Sequence, residues 1–154
     1  MRTTQALTAL AGVLVATGLT AGVARADVAG TYEVKYEEVS SNCTTGKLAY
    51  GPGTLEVKVK GTQMLVDIDR TPPMVGAPPK GGSGNVSAKS KLGKTMIQGM
   101  QGVFSVAGRI TPEGTLYLVM TGEYSTDGRP LCTQTWNLSG AKQGTAPATP
   151  PKKP

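Results

Sequence analysis

Apolar and polar positions alternate with a period of two along most of the chain after residue 29. Alternation of this kind predicts β-strands, because successive side chains of a strand point to opposite faces of its sheet. The clearest runs cover residues 32–37, 55–60, 63–69, 103–110, 115–124 and 131–138. Weaker runs at 86–91 and 95–98 bring the number of predicted strands to seven or eight. No helical period of useful length follows residue 26.

Short turn signals separate these runs. Gly61-Thr62, the sequence TPEG at 111–114 and Asp127-Gly128 each have the composition of a tight turn. Strands joined by tight turns pair as antiparallel neighbours, so we expect an all-β meander that forms a closed or partly closed barrel. A β-sandwich is the alternative. Residues 71–84 are rich in proline and glycine and predict a long loop.

The two ends of the chain differ from the strand region. Met1-Arg2, an apolar stretch at 6–24 and the small-residue sequence Ala24-Arg25-Ala26 are typical of a secretory signal peptide. We therefore predict a signal peptide at 1–26, a single β domain at 27–142 and a disordered tail rich in Pro and Lys at 143–154. No cysteine lies near the cleavage site, so no lipid anchor is indicated. We expect a secreted or periplasmic protein that does not span the membrane.

The mature chain contains two cysteines, Cys43 and Cys132. An even number of cysteines in an exported protein predicts a disulfide. Cys43 follows the first predicted strand and Cys132 lies in the last. Because the first and last strands of a closed meander are neighbours, this pair would seal the closure.

Histidine is absent from the sequence. Its absence excludes Ser-His-Asp and Cys-His catalysis and histidine-ligated metals. Asp67 and Asp69 share one strand face, as a carboxylate pair could, but the adjacent Arg70 favours surface ion pairing. We therefore predict no catalytic residues, no metal site, no cofactor and no enzymatic activity.

Positive charge is concentrated in the middle of the chain. Residues 70–112 contain six basic side chains and no acidic one. Such a stretch suits an anionic surface, which Lys80, Lys89, Lys91 and Lys94 would contact. Ordinary solvated strand faces are the alternative. The aromatic residues lie in strand patterns rather than among these lysines, which argues against nucleic acid as the partner.

Gly30-Thr31-Tyr32 opens the first strand, and Trp136 in the last strand is followed by Gly140 and Lys142. With the meander and Cys132, these residues resemble the small secreted lipocalin-like (calycin-type) β-barrel proteins. The resemblance implies a non-enzymatic protein that binds a small apolar ligand inside its barrel. The inward side chains that would line this site, or else fill the core themselves, are Tyr32, Tyr36, Phe104, Met120 and Trp136. A secreted or envelope module, or an inhibitor, that binds a protein through its loops is the other hypothesis.

Overall fold

The computed structural model describes residues 25–144. Residues 1–24 of the signal peptide predicted at 1–26, and residues 145–154 of the tail predicted at 143–154, lie outside the described residues. The strands are β1 Gly30–Ser41, β2 Gly53–Lys60, β3 Gln63–Ile68, β4 Met74–Gly76, β5 Asn85–Ser90, β6 Gly93–Lys94, β7 Gln101–Ile110, β8 Thr115–Thr126 and β9 Arg129–Lys142. A single 3-10 turn, Lys80–Gly82, interrupts this all-β chain within the described range.

All nine strands belong to one antiparallel sheet, in the order β5-β4-β3-β2-β1-β9-β8-β7-β6. An additional pairing of β5 with β7 closes eight of the strands into a ring. The strands are not spread evenly around one axis, so the architecture fits a partly closed barrel or a sandwich. The predicted antiparallel meander is therefore confirmed, including the pairing of the first strand with the last.

Two local predictions were wrong. Residues 71–84 are not one long loop, because β4 lies between two proline pairs and bridges β3 and β5. The sequence 95–98 is a turn rather than a strand. Its backbone is held by the Thr95 side chain, whose hydroxyl donates to the Met100 carbonyl oxygen at 3.0 Å and accepts a hydrogen bond from the Ile97 amide at 3.2 Å. A side chain that bonds its own neighbouring backbone in this way competes with strand pairing.

Because the pattern alternates, every second side chain of a strand points into the ring. In β2, Leu55 and Val57 are buried while Glu56 and Lys58 point outward and form an ion pair. The buried apolar residues of all the longer strands form one continuous core. Gly140 of β9 lies opposite Val34 of β1, and a Cβ at this position would clash with the carbonyl oxygen of Glu33.

Because neighbouring strands run in opposite directions, the connections between them lie at two opposite ends of the ring. We call the end where β1 finishes and β9 starts the disulfide end; residues 42–52, 69–73 and 91–100 lie there. The opposite end includes residues 77–84 and the turns after β2 and β7. Within residues 25–144, no helix has the length and apolar character needed to cross a membrane.

Candidate functional site

The five inward residues predicted to line a ligand site all belong to the packed interior. Tyr32, Phe104, Met120 and Trp136 are almost completely buried, and only Tyr36 is partly exposed. Met120 and Trp136 are direct partners across β8 and β9. The Tyr32 hydroxyl donates to the Val28 carbonyl oxygen at 2.8 Å. These side chains contact core neighbours, as residues that fill the interior do.

An aromatic cluster lies at the disulfide end of the interior. The rings of Tyr36 and Tyr50 stack at a centroid distance of 5.2 Å, and Tyr50 meets Trp136 edge to face, also at 5.2 Å. Phe104 and Tyr124 form a second edge-to-face pair at 5.9 Å. Burial, together with the nearby Asp69 carboxylate, raises the pKa of Tyr36 to about 12. The cluster is therefore neutral at physiological pH.

Residues 42–52, which we call the capping loop, connect β1 to β2 at the disulfide end and contribute Tyr50 to this cluster. Leu48 of the loop is buried at 2% exposure. Cys43 is joined to Cys132 by the predicted disulfide, with a Cα–Cα distance of 5.0 Å. The Asn42 side-chain oxygen accepts a hydrogen bond from the Thr133 amide at 2.7 Å. The start and the middle of the loop are thus both attached to the ring.

A buried glutamine holds the middle of the capping loop. The Gln134 side-chain oxygen accepts a hydrogen bond from the Leu48 amide at 2.9 Å. Its NH₂ group donates a hydrogen bond to the Leu48 carbonyl oxygen at 3.1 Å. The same NH₂ group donates to the Glu38 carboxylate at 2.9 Å. Gln134 is completely buried, so its two bonds to Leu48 form where water does not compete, whereas its bond to Glu38 is only partly buried.

A surface ion pair adds to this attachment. The Lys47 ammonium lies 2.6 Å from the Glu38 carboxylate. Its hydrogen bond, with that from Gln134, holds the pKa of Glu38 below its ordinary value. A carboxylate with a lowered pKa stabilises the fold at neutral pH, and this stabilisation is lost as the pH falls through the lowered value.

Two buried tyrosine hydroxyls, that of Tyr50 in the capping loop and that of Tyr124 in β8, have no hydrogen-bond partner among residues 25–144. An unpaired hydroxyl in the interior contributes little to stability, so its removal costs little. We expect Tyr124→Phe to change the free energy of unfolding by less than about 0.5 kcal/mol. The matched variant Tyr32→Phe should lose about 1 kcal/mol, because it leaves the Val28 carbonyl unpaired. Denaturant unfolding measures both, and an equal or larger loss in Tyr124→Phe would contradict this assignment.

The four lysines predicted to contact an anionic surface are all exposed, but they do not form one cluster. Lys80 lies in the 3-10 turn at the opposite end. Lys91 and Lys94 lie at the disulfide end. Lys89 points outward from β5 toward Glu123, at 4.0 Å. Arg70, which is not one of the four lysines predicted to contact an anionic surface, is at the same end as Lys91 and Lys94 and lines a cleft of about 390 Å³ with Lys94.

Asp67 and Asp69, the possible carboxylate pair of the sequence analysis, do not form a shared site within the described residues. Asp69 forms an exposed ion pair with Arg70 at 3.4 Å, and Asp67 points outward from β3. No group of three or more Cys, Asp or Glu side chains comes together within residues 25–144 in a way that could hold a metal ion.

Sequence reasoning missed Gln134 and Leu48, the residues that fix the capping loop. A signal for Gln134 was present, since it occupies the same alternating face as Cys132 and Trp136. A polar residue at a core position must find partners, but the pattern does not say which. Nothing in the local sequence distinguishes Leu48 from a surface residue of a loop.

Comparison with known proteins adds no relative from which a function could be carried over. No protein family model, curated protein or solved structure matches this chain.

Proposed function

We propose that this chain is an exported, non-enzymatic binding protein that recognises its partner through the loops of the disulfide end. The observation that carries the proposal is the contrast between the interior and this end. Inside the ring, large side chains pack against one another. At the disulfide end, a disulfide and a buried glutamine hold the capping loop in a fixed position.

A rigid loop surface suits binding because little conformational freedom is lost when a partner docks. Much of the exposed apolar surface also lies at this end. Val39, Leu92, Met96 and Leu131 are there, and they are four of the eight large apolar residues of the range 25–144 that are highly exposed. Leu92 and Leu131 line one cleft of about 460 Å³ beside Cys132.

A small apolar ligand inside the ring, as the lipocalin-like resemblance implies, is the competing function. Such a ligand would have to displace Leu48 or the packed aromatic side chains. Those contacts favour loop recognition over an internal ligand. The disulfide fits an oxidising compartment such as the periplasm or the cell exterior.

Binding to host envelope material tests this proposal. Purified mature protein is mixed with washed envelopes of its own host, and the bound fraction is measured for two matched variants. Leu92→Ser/Lys94→Gln alters the disulfide end. Val59→Ser/Lys60→Gln removes one exposed apolar group and one lysine at the opposite end. We expect at least about a tenfold loss of binding for the first variant and none for the second.

Two outcomes would contradict loop recognition. Equal binding by both variants would show that the disulfide end is not the contact. Native mass spectrometry of protein purified from the host would overturn the proposal if it showed a retained small apolar ligand at full occupancy.

A further inference from the structure

We propose that the partner of the disulfide end is an anionic lipid bilayer, which residues 91–96, here called the tip, contact peripherally. This inference rests on the proposed function, since it names the partner of the same loops.

The tip is an ordered hairpin segment rather than a loose loop. Gly93 and Lys94 pair with Gly102 and Gln101 in β7, and the Thr95 amide donates to the Met100 carbonyl oxygen at 3.2 Å. Pro72 packs so closely on Gly93 that a Cβ at this position would clash with it. The tip and residues 70–72 therefore form one surface.

Two large apolar side chains of this surface face solvent. Leu92 is 54% exposed and Met96 is 40% exposed. Neither belongs to the continuous core, so the fold does not need them to be apolar. Apolar side chains at the end of a rigid hairpin can enter the boundary between lipid headgroups and acyl chains.

Basic side chains surround these apolar groups. Lys91 and Lys94 are exposed, and within residues 25–144 no carboxylate lies within 4.0 Å of either ammonium group. The Arg70 guanidinium reaches the Met96 sulfur at 3.7 Å, and its pairing with Asp69 is solvent-exposed and therefore weak. Positive charge beside exposed apolar groups complements the phosphates and the acyl boundary of an anionic membrane.

The composition of the tip favours lipid over other polyanions. Single-stranded nucleic acids bind to aromatic platforms, and the tip contains no aromatic residue. An acidic polysaccharide would use Lys91 and Lys94 but would gain nothing from Leu92 and Met96. A bilayer alone among these partners uses both kinds of side chain.

Vesicle sedimentation tests the inference with the full mature protein. Vesicles of phosphatidylcholine alone are compared with vesicles that also contain phosphatidylglycerol, and heparin serves as a soluble polyanion. Of the two kinds of vesicle, we expect the protein to bind only the anionic one. This binding should weaken as salt rises from about 0.1 M to about 1 M, because the Debye length falls from about 10 Å to about 3 Å.

Variants separate the two kinds of contact. Leu92→Ser/Met96→Ser should weaken vesicle binding about tenfold and leave heparin binding unchanged. Lys91→Gln/Lys94→Gln should weaken vesicle binding at least about tenfold, because each lysine near an anionic surface contributes about fivefold. Val59→Ser/Lys60→Gln at the opposite end should bind vesicles as the native protein does. Circular dichroism and thermal unfolding confirm that each variant folds.

Three results would overturn the inference. In the first, native protein fails to bind anionic vesicles; in the second, the opposite-end variant Val59→Ser/Lys60→Gln loses as much vesicle binding as the tip variants; in the third, Leu92→Ser/Met96→Ser binds vesicles as the native protein does. If vesicle binding fails while envelope binding still depends on the tip, the lipid assignment is wrong and loop recognition stands. If envelope binding is also indifferent to the tip, both proposals are wrong.

Discussion

Replacing Cys43 and Cys132 together by serine should lower the free energy of unfolding by about 2 to 5 kcal/mol. The disulfide joins residues 89 positions apart, so it removes much conformational freedom from the unfolded chain. It also joins the start of the capping loop to β9, beside the Asn42 contact to Thr133. Its loss therefore acts both on the unfolded state and on the attachment of the loop.

Denaturant unfolding of the oxidised native protein and the double serine variant measures this difference. Reduction of the native protein supplies the control, because it breaks the same bond without changing the sequence. We expect the reduced native protein to unfold near the midpoint of the variant, and the variant to be indifferent to reductant. An unfolding midpoint of the native protein that does not respond to reduction would show that the bond contributes no stability.

The meander could be predicted because its information is local. Alternation in β2 and β3 and the turn residues Gly61-Thr62 between them fix which faces are buried and make the two strands neighbours. The even number of cysteines predicts the disulfide, and closing the meander brings β1 beside β9, where the bond lies. Each of these steps uses only short-range pattern and chain connectivity.

Features that depend on contacts between residues far apart in the sequence could not be predicted from the local pattern. β4 is only three residues long, and its strand conformation comes from pairing with β3 on one side and β5 on the other. The grouping of Arg70 with Lys94 depends on Pro72 packing against Gly93. A sequence pattern gives the charge of these residues but not the loop packing that places them together.

Gln134 is the residue whose loss should release the capping loop most directly. We expect Gln134→Leu to lower the free energy of unfolding by about 2 to 4 kcal/mol, because it leaves the Leu48 amide and carbonyl buried without partners. The matched control is Gln63→Leu, since Gln63 is an exposed strand glutamine at the opposite end. That variant should stay within about 0.5 kcal/mol of the native protein.

Hydrogen exchange and the pH dependence of stability can show that the lowered free energy of unfolding arises at the capping loop. Amide exchange at Leu48 should rise in Gln134→Leu by more than global unfolding explains. In Gln134→Glu, two carboxylates would face each other at Glu38, so the loop should be destabilised at neutral pH. Protonation removes this repulsion, so the stability of Gln134→Glu relative to the native protein should improve as the pH falls through the carboxyl range. A Leu48 amide that exchanges at the native rate in Gln134→Leu would show that the glutamine does not hold the loop.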